Sequence, residues 1–264
     1  MSLHYVAFQS LHEAPLMIPA RLQIPDGNGP YAAVLILHGS AGPSGREGGY
    51  ADVLLGAGIA TLEPDQWSPR ALSGGSQGRP RTVIETLPDV YGARRFLAAH
   101  PRIDPQRIGV MGFSFGGIAS MLAATHAHND RFAPNGHFAA HMPCYPVCWL
   151  YGAREDHRFE NLVDAPVFIL TAALDQYDDD EHAGDKLVEE LRASDRSKVT
   201  TRAMAGCHHG FDMPGIDIAA EDPFCHRGKG GTMIMRHNPE ATQEAHALAL
   251  AFFLGALGAK SGGT

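Results

Sequence analysis

Ile108-Gly-Val-Met-Gly-Phe-Ser-Phe-Gly-Gly117 is the stretch on which the reading of this chain turns. The apolar run from Ile108 to Met111 predicts a buried strand, and helical spacing resumes after Gly117 at Ile118, Met121 and Leu122. Gly112-Phe-Ser114-Phe-Gly116 is thus a G-x-S-x-G pattern at a strand-to-helix turn. Such a turn is sharp, and side chains two residues either side of its centre would strike the strand and the helix. The Ser114 hydroxyl is expected above the sheet at the positive end of the helix, with the Phe115 N–H free to stabilise an oxyanion. With 30 glycines in the chain, the pentapeptide alone is a weak signal. Its flanking strand and helix, and partners further along, give it weight.

Working outward, strands are expected at 5–9 and 17–24, and Tyr31 to Leu37 is an apolar run typical of a strand covered on both faces. His38-Gly-Ser40-Ala-Gly42-Pro-Ser-Gly45 follows as a small-residue loop. It lacks the endings of a phosphate-binding loop, so it is read as the donor of a second oxyanion N–H, from Ser40. A helix is expected from 50 to 57 and a short strand from Gly58 to Leu62, then a polar loop through Trp67 and Arg70. That loop leaves the C-terminal end of a strand, where open α/β sheets bind ligands, which makes Trp67 and Arg70 candidate substrate-lining residues. A helix with Pro88 as a break or kink precedes the central stretch, whose helix is expected to run to about Thr125. Strands are expected at 138–149, 164–171 and 198–204, with a helix at 181–193. A loop of about thirty residues then leads to Asn238-Pro239, which starts a last helix running to about Leu254. Strands alternating with helices predict one α/β domain over 1–264, with a mostly parallel, doubly wound sheet. The first 30 or so residues add N-terminal strands, and 258–264 is expected to be a frayed tail.

The 264 residues, 44% hydrophobic and 19% charged, are those of an ordinary globular protein. A net charge of −8 argues against nucleic acid or an anionic membrane as partner, and no apolar run reaches the length of a membrane span. The opening Met-Ser-Leu-His-Tyr-Val lacks the regions of a secretory signal, so a cytoplasmic location is expected. The sequence does not specify an oligomeric state.

A serine hydroxyl needs a base, and the base an orienting acid. Asp175 follows the strand ending at Thr171, and His209 follows the strand ending at Met204. Each would reach the sheet edge that carries Ser114. His209 is preferred over His208 because the following Gly-Phe allows a tight loop past the imidazole. His208 is left as a structural residue or a lining candidate, and Asp178-Asp-Asp180 as a solvated helix start. A zinc site drawing on Cys144, Cys148, Cys207, His208, Cys225 or His226 lacks close ligand pairs. No metal or organic cofactor is expected, and the cysteines are expected to be free.

The pieces Leu37-His-Gly-Ser40, Gly112 to Gly117, Ala172-Ala-Leu-Asp175, Gly206-Cys-His-His-Gly-Phe211, Tyr145-Pro and Pro239-Glu-Ala-Thr-Gln-Glu-Ala together resemble the dienelactone hydrolase family of the α/β-hydrolase fold. The resemblance implies Ser114, Asp175 and His209 as triad, with Ser40 and Phe115 as oxyanion donors. Dienelactone hydrolases proper use a cysteine nucleophile, and carry an acid where this chain has Gly39. A serine esterase of the wider family is therefore expected, and with no large insertion to act as a lid its expected substrates are small to medium esters or lactones. An acyltransferase on the same triad and a non-catalytic binding protein are the alternatives.

Overall fold

The structure, a computed structural model, describes residues 1–258. Eight strands make one sheet: β1 (Ser2–Gln9), β2 (Met17–Ile24), β3 (Tyr31–Leu37), β4 (Ala60–Pro64), β5 (Ile103–Phe113), β6 (Ala140–Cys144), β7 (Val167–Ala172) and β8 (Val199–Met204). Their order is β1-β2-β4-β3-β5-β6-β7-β8. β2 pairs antiparallel with β1 and β4, and every other neighbouring pair is parallel. The expected doubly wound, mostly parallel sheet is therefore present.

The helices are α1 (Gly45–Gly56), α2 (Leu87–Ala98), α3 (Phe115–Ala123), α4 (His126–Phe132), the single turn α5 (Leu150–Ala153), α6 (Ala183–Glu189), the single turns α7 (Ala193–Arg196) and α8 (Cys225–Gly228), and α9 (Pro239–Leu257). Two more strands, β9 (Asp217–Asp222) and β10 (Gly231–Arg236), form a separate antiparallel hairpin. β3 shows why its sequence reads as a continuous apolar run. Ala33, Leu35 and Leu37 enter the core beneath α2 and α3, while Ala32, Val34 and Ile36 enter the core beneath α1 and α9. Alternate residues face opposite sides of a sheet, so a strand covered on both has no polar position.

Several boundaries differ from expectation. α1 begins at Gly45, because Ser44 caps it: the Ser44 Oγ accepts from the Arg46 N–H, and Glu47 Oε2 accepts from the Ser44 N–H at 2.8 Å. Pro88 sits in the first turn of α2, where it lacks no needed donor, and causes no break. The strand expected over 138–149 stops at Cys144, where Tyr145 (φ 38°) and Val147 (φ 59°) turn the chain through left-handed conformations. The helix after the central stretch ends at Ala123, and that expected over 181–193 divides into α6 and α7. The last helix continues to Leu257, and the expected tail lies, from residue 259, outside the described residues. No helix among the described residues is long and apolar enough to cross a membrane.

Candidate active site

Ser114 links β5 to α3 with φ 51° and ψ −111°, a conformation that side chains rarely adopt. Its two glycine neighbours make the turn sterically feasible. A Cβ on Gly112 would collide with the Gly116 carbonyl, and one on Gly116 would lie 2.5 Å from the Leu37 carbonyl oxygen. The Ser114 N–H donates to the Cys144 carbonyl at 2.9 Å, which fastens the turn to the end of β6.

The connections after β7 and β8 bring Asp175 and His209 to this turn. His209 Nδ1 lies 2.7 Å from Asp175 Oδ2, and His209 Nε2 lies 2.8 Å from Ser114 Oγ. An ionised carboxylate can only accept, so Nδ1–H donates and Nε2 is left to accept the Ser114 proton. The second Asp175 oxygen accepts the Tyr177 N–H at 2.8 Å. Asp175 and His209 are both buried, and the imidazole packs against the rings of Tyr145 and Tyr177, 4.8 and 4.4 Å away. Gly210 (φ 67°) supplies the tight turn after His209. His208 points elsewhere, its Nδ1 3.1 Å from the Leu174 carbonyl, and does not line the cavity beside Ser114.

In the loop after β3, the Gly39 carbonyl accepts from His38 Nδ1 at 2.9 Å and from the Gly42 N–H at 3.1 Å. A trans peptide points its N–H opposite to its carbonyl, so these bonds also fix the direction of the Ser40 N–H. Ser40 and Phe115 both border the cavity that contains Ser114, and neither N–H has an acceptor among the described residues. Burial holds the His38 imidazole below its ordinary pKa, and the neutral ring accepts the Gln66 N–H at Nε2, 3.1 Å away. Trp67 and Arg70, expected to line the substrate, do not border the cavity. Trp67 is buried and donates from Nε1 to the Ser40 carbonyl at 3.0 Å, bracing the loop from behind. Arg70 pairs with buried Asp89 at 2.9 Å.

Two buried polar groups escaped the sequence reading. The Arg46 guanidinium donates to Tyr145 Oη at 2.9 Å and to Glu47 Oε1 at 3.0 Å. The Tyr145 and Tyr50 hydroxyls in turn donate to the two oxygens of Asp212, at 2.6 and 2.7 Å. Burial opposes the Arg46 charge, yet Tyr145, Glu47 and Asp212 around it outweigh burial and hold its pKa above the ordinary value. This network ties the His209 loop to α1 and to the end of β6. Arg46 Nη2 also lies 3.3 Å from where a Gly39 Cβ would be, so a cation occupies the space beside that position. The second group is Asp178, which is buried and not a solvated helix start. It accepts the Cys148 and Trp149 N–H groups at 3.1 and 3.0 Å, and burial, then Asp175, push its carboxyl up to about 7.

The four cysteines are free and buried, and among the described residues no three His, Cys, Asp or Glu side chains are grouped to hold a metal ion. The cavity beside Ser114 measures about 620 Å³. It is lined by Phe115 and Ile118, by Val147, Trp149 and Leu150, and by residues of the hairpin β9–β10. The stretch expected to be a thirty-residue loop therefore contains a folded hairpin that lines the cavity. Ile218-Ala-Ala220 and Met233-Ile-Met235 are apolar at three successive positions, so no period-2 alternation announced these strands.

Residues 18–257 match the model of the dienelactone hydrolase family. The chain belongs to that family. No curated protein matches the sequence. Among solved structures, the dienelactone hydrolase of Anabaena variabilis is 20% identical with a TM-score of 0.62, over 97% of this chain and 99% of its own. Esterase 2 of Thermogutta terrifontis is 17% identical with a TM-score of 0.64, over 96% of this chain and 94% of its own. Est1E of Butyrivibrio proteoclasticus is 13% identical with a TM-score of 0.62, over 96% and 100%. At these identities the likeness is one of fold, and the fold is that of the α/β-hydrolases. This family member carries Ser114 and Gly39 where dienelactone hydrolases proper are expected to carry a cysteine and an acid.

Proposed function

We propose that the protein is a serine hydrolase of carboxylic esters, working as one domain through an acyl-enzyme on Ser114. The observation that carries this reading is the continuous hydrogen-bonded chain from Ser114 Oγ through His209 to Asp175, 2.8 and 2.7 Å long at its two links, at the edge of a cavity. His209 Nε2 takes the hydroxyl proton as Ser114 Oγ attacks the ester carbonyl carbon. Asp175 holds the ring in the required tautomer and stabilises the imidazolium. The N–H groups of Ser40 and Phe115 receive the oxyanion, each contributing about 10²–10³ in rate. The tetrahedral adduct collapses, the C–O bond to the alcohol breaks, and His209 returns its proton to the departing oxygen. Water then attacks the acyl carbon as it gives a proton to His209, the bond to Ser114 Oγ breaks to release the acid, and His209 returns that proton to Ser114. No step calls for a metal or organic cofactor.

Two further observations support a serine in place of a thiol mechanism. Position 39 is a glycine, so no carboxyl side chain stands there to activate a thiol. Esterase 2 of Thermogutta terrifontis, of the same fold, is phosphorylated by paraoxon. The test is turnover of p-nitrophenyl esters, with active-site titration by a fluorophosphonate. Stoichiometric labelling and a fall in kcat of about 10⁶ in Ser114→Ala are expected. Undiminished turnover in that variant would remove Ser114 from the mechanism.

A further inference from the structure

The hairpin β9–β10 turns one face toward the cavity, where Asp222 is its charged residue. Met233 stands opposite Ala220 and Met235 opposite Ile218, and side chains alternate along a strand, so these four share one face. All four line the cavity. The other face carries the apolar pair Ala219 and Ile234 between two polar pairs, an Arg236–Asp217 ion pair at 3.0 Å and a hydrogen bond from Thr232 to Glu221 at 2.6 Å. The cavity face begins at the shoulder of the reacting groups. Met233 packs on Tyr177, whose ring lies 4.4 Å from that of His209. Met235 Sδ lies 3.5 Å from where a Cβ on Gly210, the residue after His209, would be.

Trp149 and Leu150 also line the cavity, and the chain before them is held by bonds from the Cys148 and Trp149 N–H groups to Asp178. At the outer end, Ile218 and Phe224 leave 43% and 41% of their surface exposed. Large apolar side chains gathered at one opening mark a surface that an apolar ligand covers. Methionine is flexible and polarisable, and so adapts to hydrocarbon groups of different outline.

We propose that the inner face of the hairpin is the subsite for the apolar half of the ester. The preferred substrates carry a hydrocarbon group of roughly six to ten carbons, a size suited to a cavity of several hundred cubic ångströms. This rests on the ester-hydrolase reading above. The hydrocarbon belongs to the acyl or to the alcohol side, and two series of substrates separate them.

The experiment measures kcat/KM for p-nitrophenyl esters from acetate to decanoate, and for acetate esters of methanol to octanol. In the wild-type protein one series rises by about tenfold or more with length. In Ile218→Ser/Met235→Ser the ratio of longest to shortest substrate falls by about tenfold, while Ile234→Thr, on the outer face, keeps the wild-type ratio. A wild-type protein labelled at Ser114 but flat in both series would overturn the subsite alone. So would an inner-face variant with the wild-type ratio. Absence of both labelling and ester turnover in the wild type would remove the hydrolase reading, and the subsite with it.

Discussion

Tyr145→Phe probes the buried network behind His209. The Tyr145 hydroxyl accepts from Arg46 at 2.9 Å and donates to Asp212 at 2.6 Å, so one oxygen serves two buried charges. Its removal leaves Arg46 bonded only to Glu47, with a buried Nε already lacking a partner, and leaves Asp212 bonded only to Tyr50. A hydrogen bond to a charged group contributes about 1.5–3 kcal/mol, so the loss of two costs about 3–6 kcal/mol. Tyr50→Phe removes a single bond to the same carboxylate and costs about half as much. The phenyl ring remains beside His209 in Tyr145→Phe, so packing there is retained. Urea unfolding of both variants and the wild type at one pH, with m-values compared, measures the difference. Tyr145→Phe proving no costlier than Tyr50→Phe would refute a network connected through the Tyr145 oxygen.

Two other outcomes follow from single positions. Folding raises the Asp178 carboxyl from the usual range near 3.9 to about 7, so between those values the folded state holds the extra proton. The stability it contributes is full below the lower value and is lost as pH rises through the upper one. Thermal melts from about pH 4 to 8 should therefore fall more steeply in the wild type than in Asp178→Asn, and parallel curves would count against the assignment. Gly112→Ala forces a Cβ into the Gly116 carbonyl and should cost more than about 2 kcal/mol, whereas Gly56→Ala, with open space around it, should not destabilise. Equal melting temperatures for the two variants would contradict the packing of the turn.

The parts of the fold that local pattern controls were legible. β3 reads as apolar throughout because both of its faces are covered, and α9 starts where Asn238 accepts the Ala241 N–H, with Pro239 in the first turn. Ser114, Asp175 and His209 were singled out because each follows a strand, and parallel strands deliver their ends to one edge. Glycines concealed the start of α1, where Gly45, Gly48 and Gly49 weaken the helical pattern although Ser44 and Glu47 spell a capping box. The hairpin was hidden by two short strands and a glycine-rich tip between them.

Sequence by itself determined the alternation of elements, the sharp turn at Ser114 and the order of the groups that meet there. These are matters of residue period and of conformations open to glycine. Tertiary structure alone decided which polar groups lie buried and what lines the cavity. Arg46 meets Tyr145 from 99 residues away and Tyr50 meets Asp212 from 162, so no local pattern announces either. Asp178 and Asp179 are neighbours in one acidic run, yet Asp178 is buried on two backbone N–H groups while Asp179 faces His226 near the surface. Trp67 lies behind the Ser40 loop and away from the cavity for the same reason. Burial is a property of what packs against a residue, and those partners are set by the sheet order.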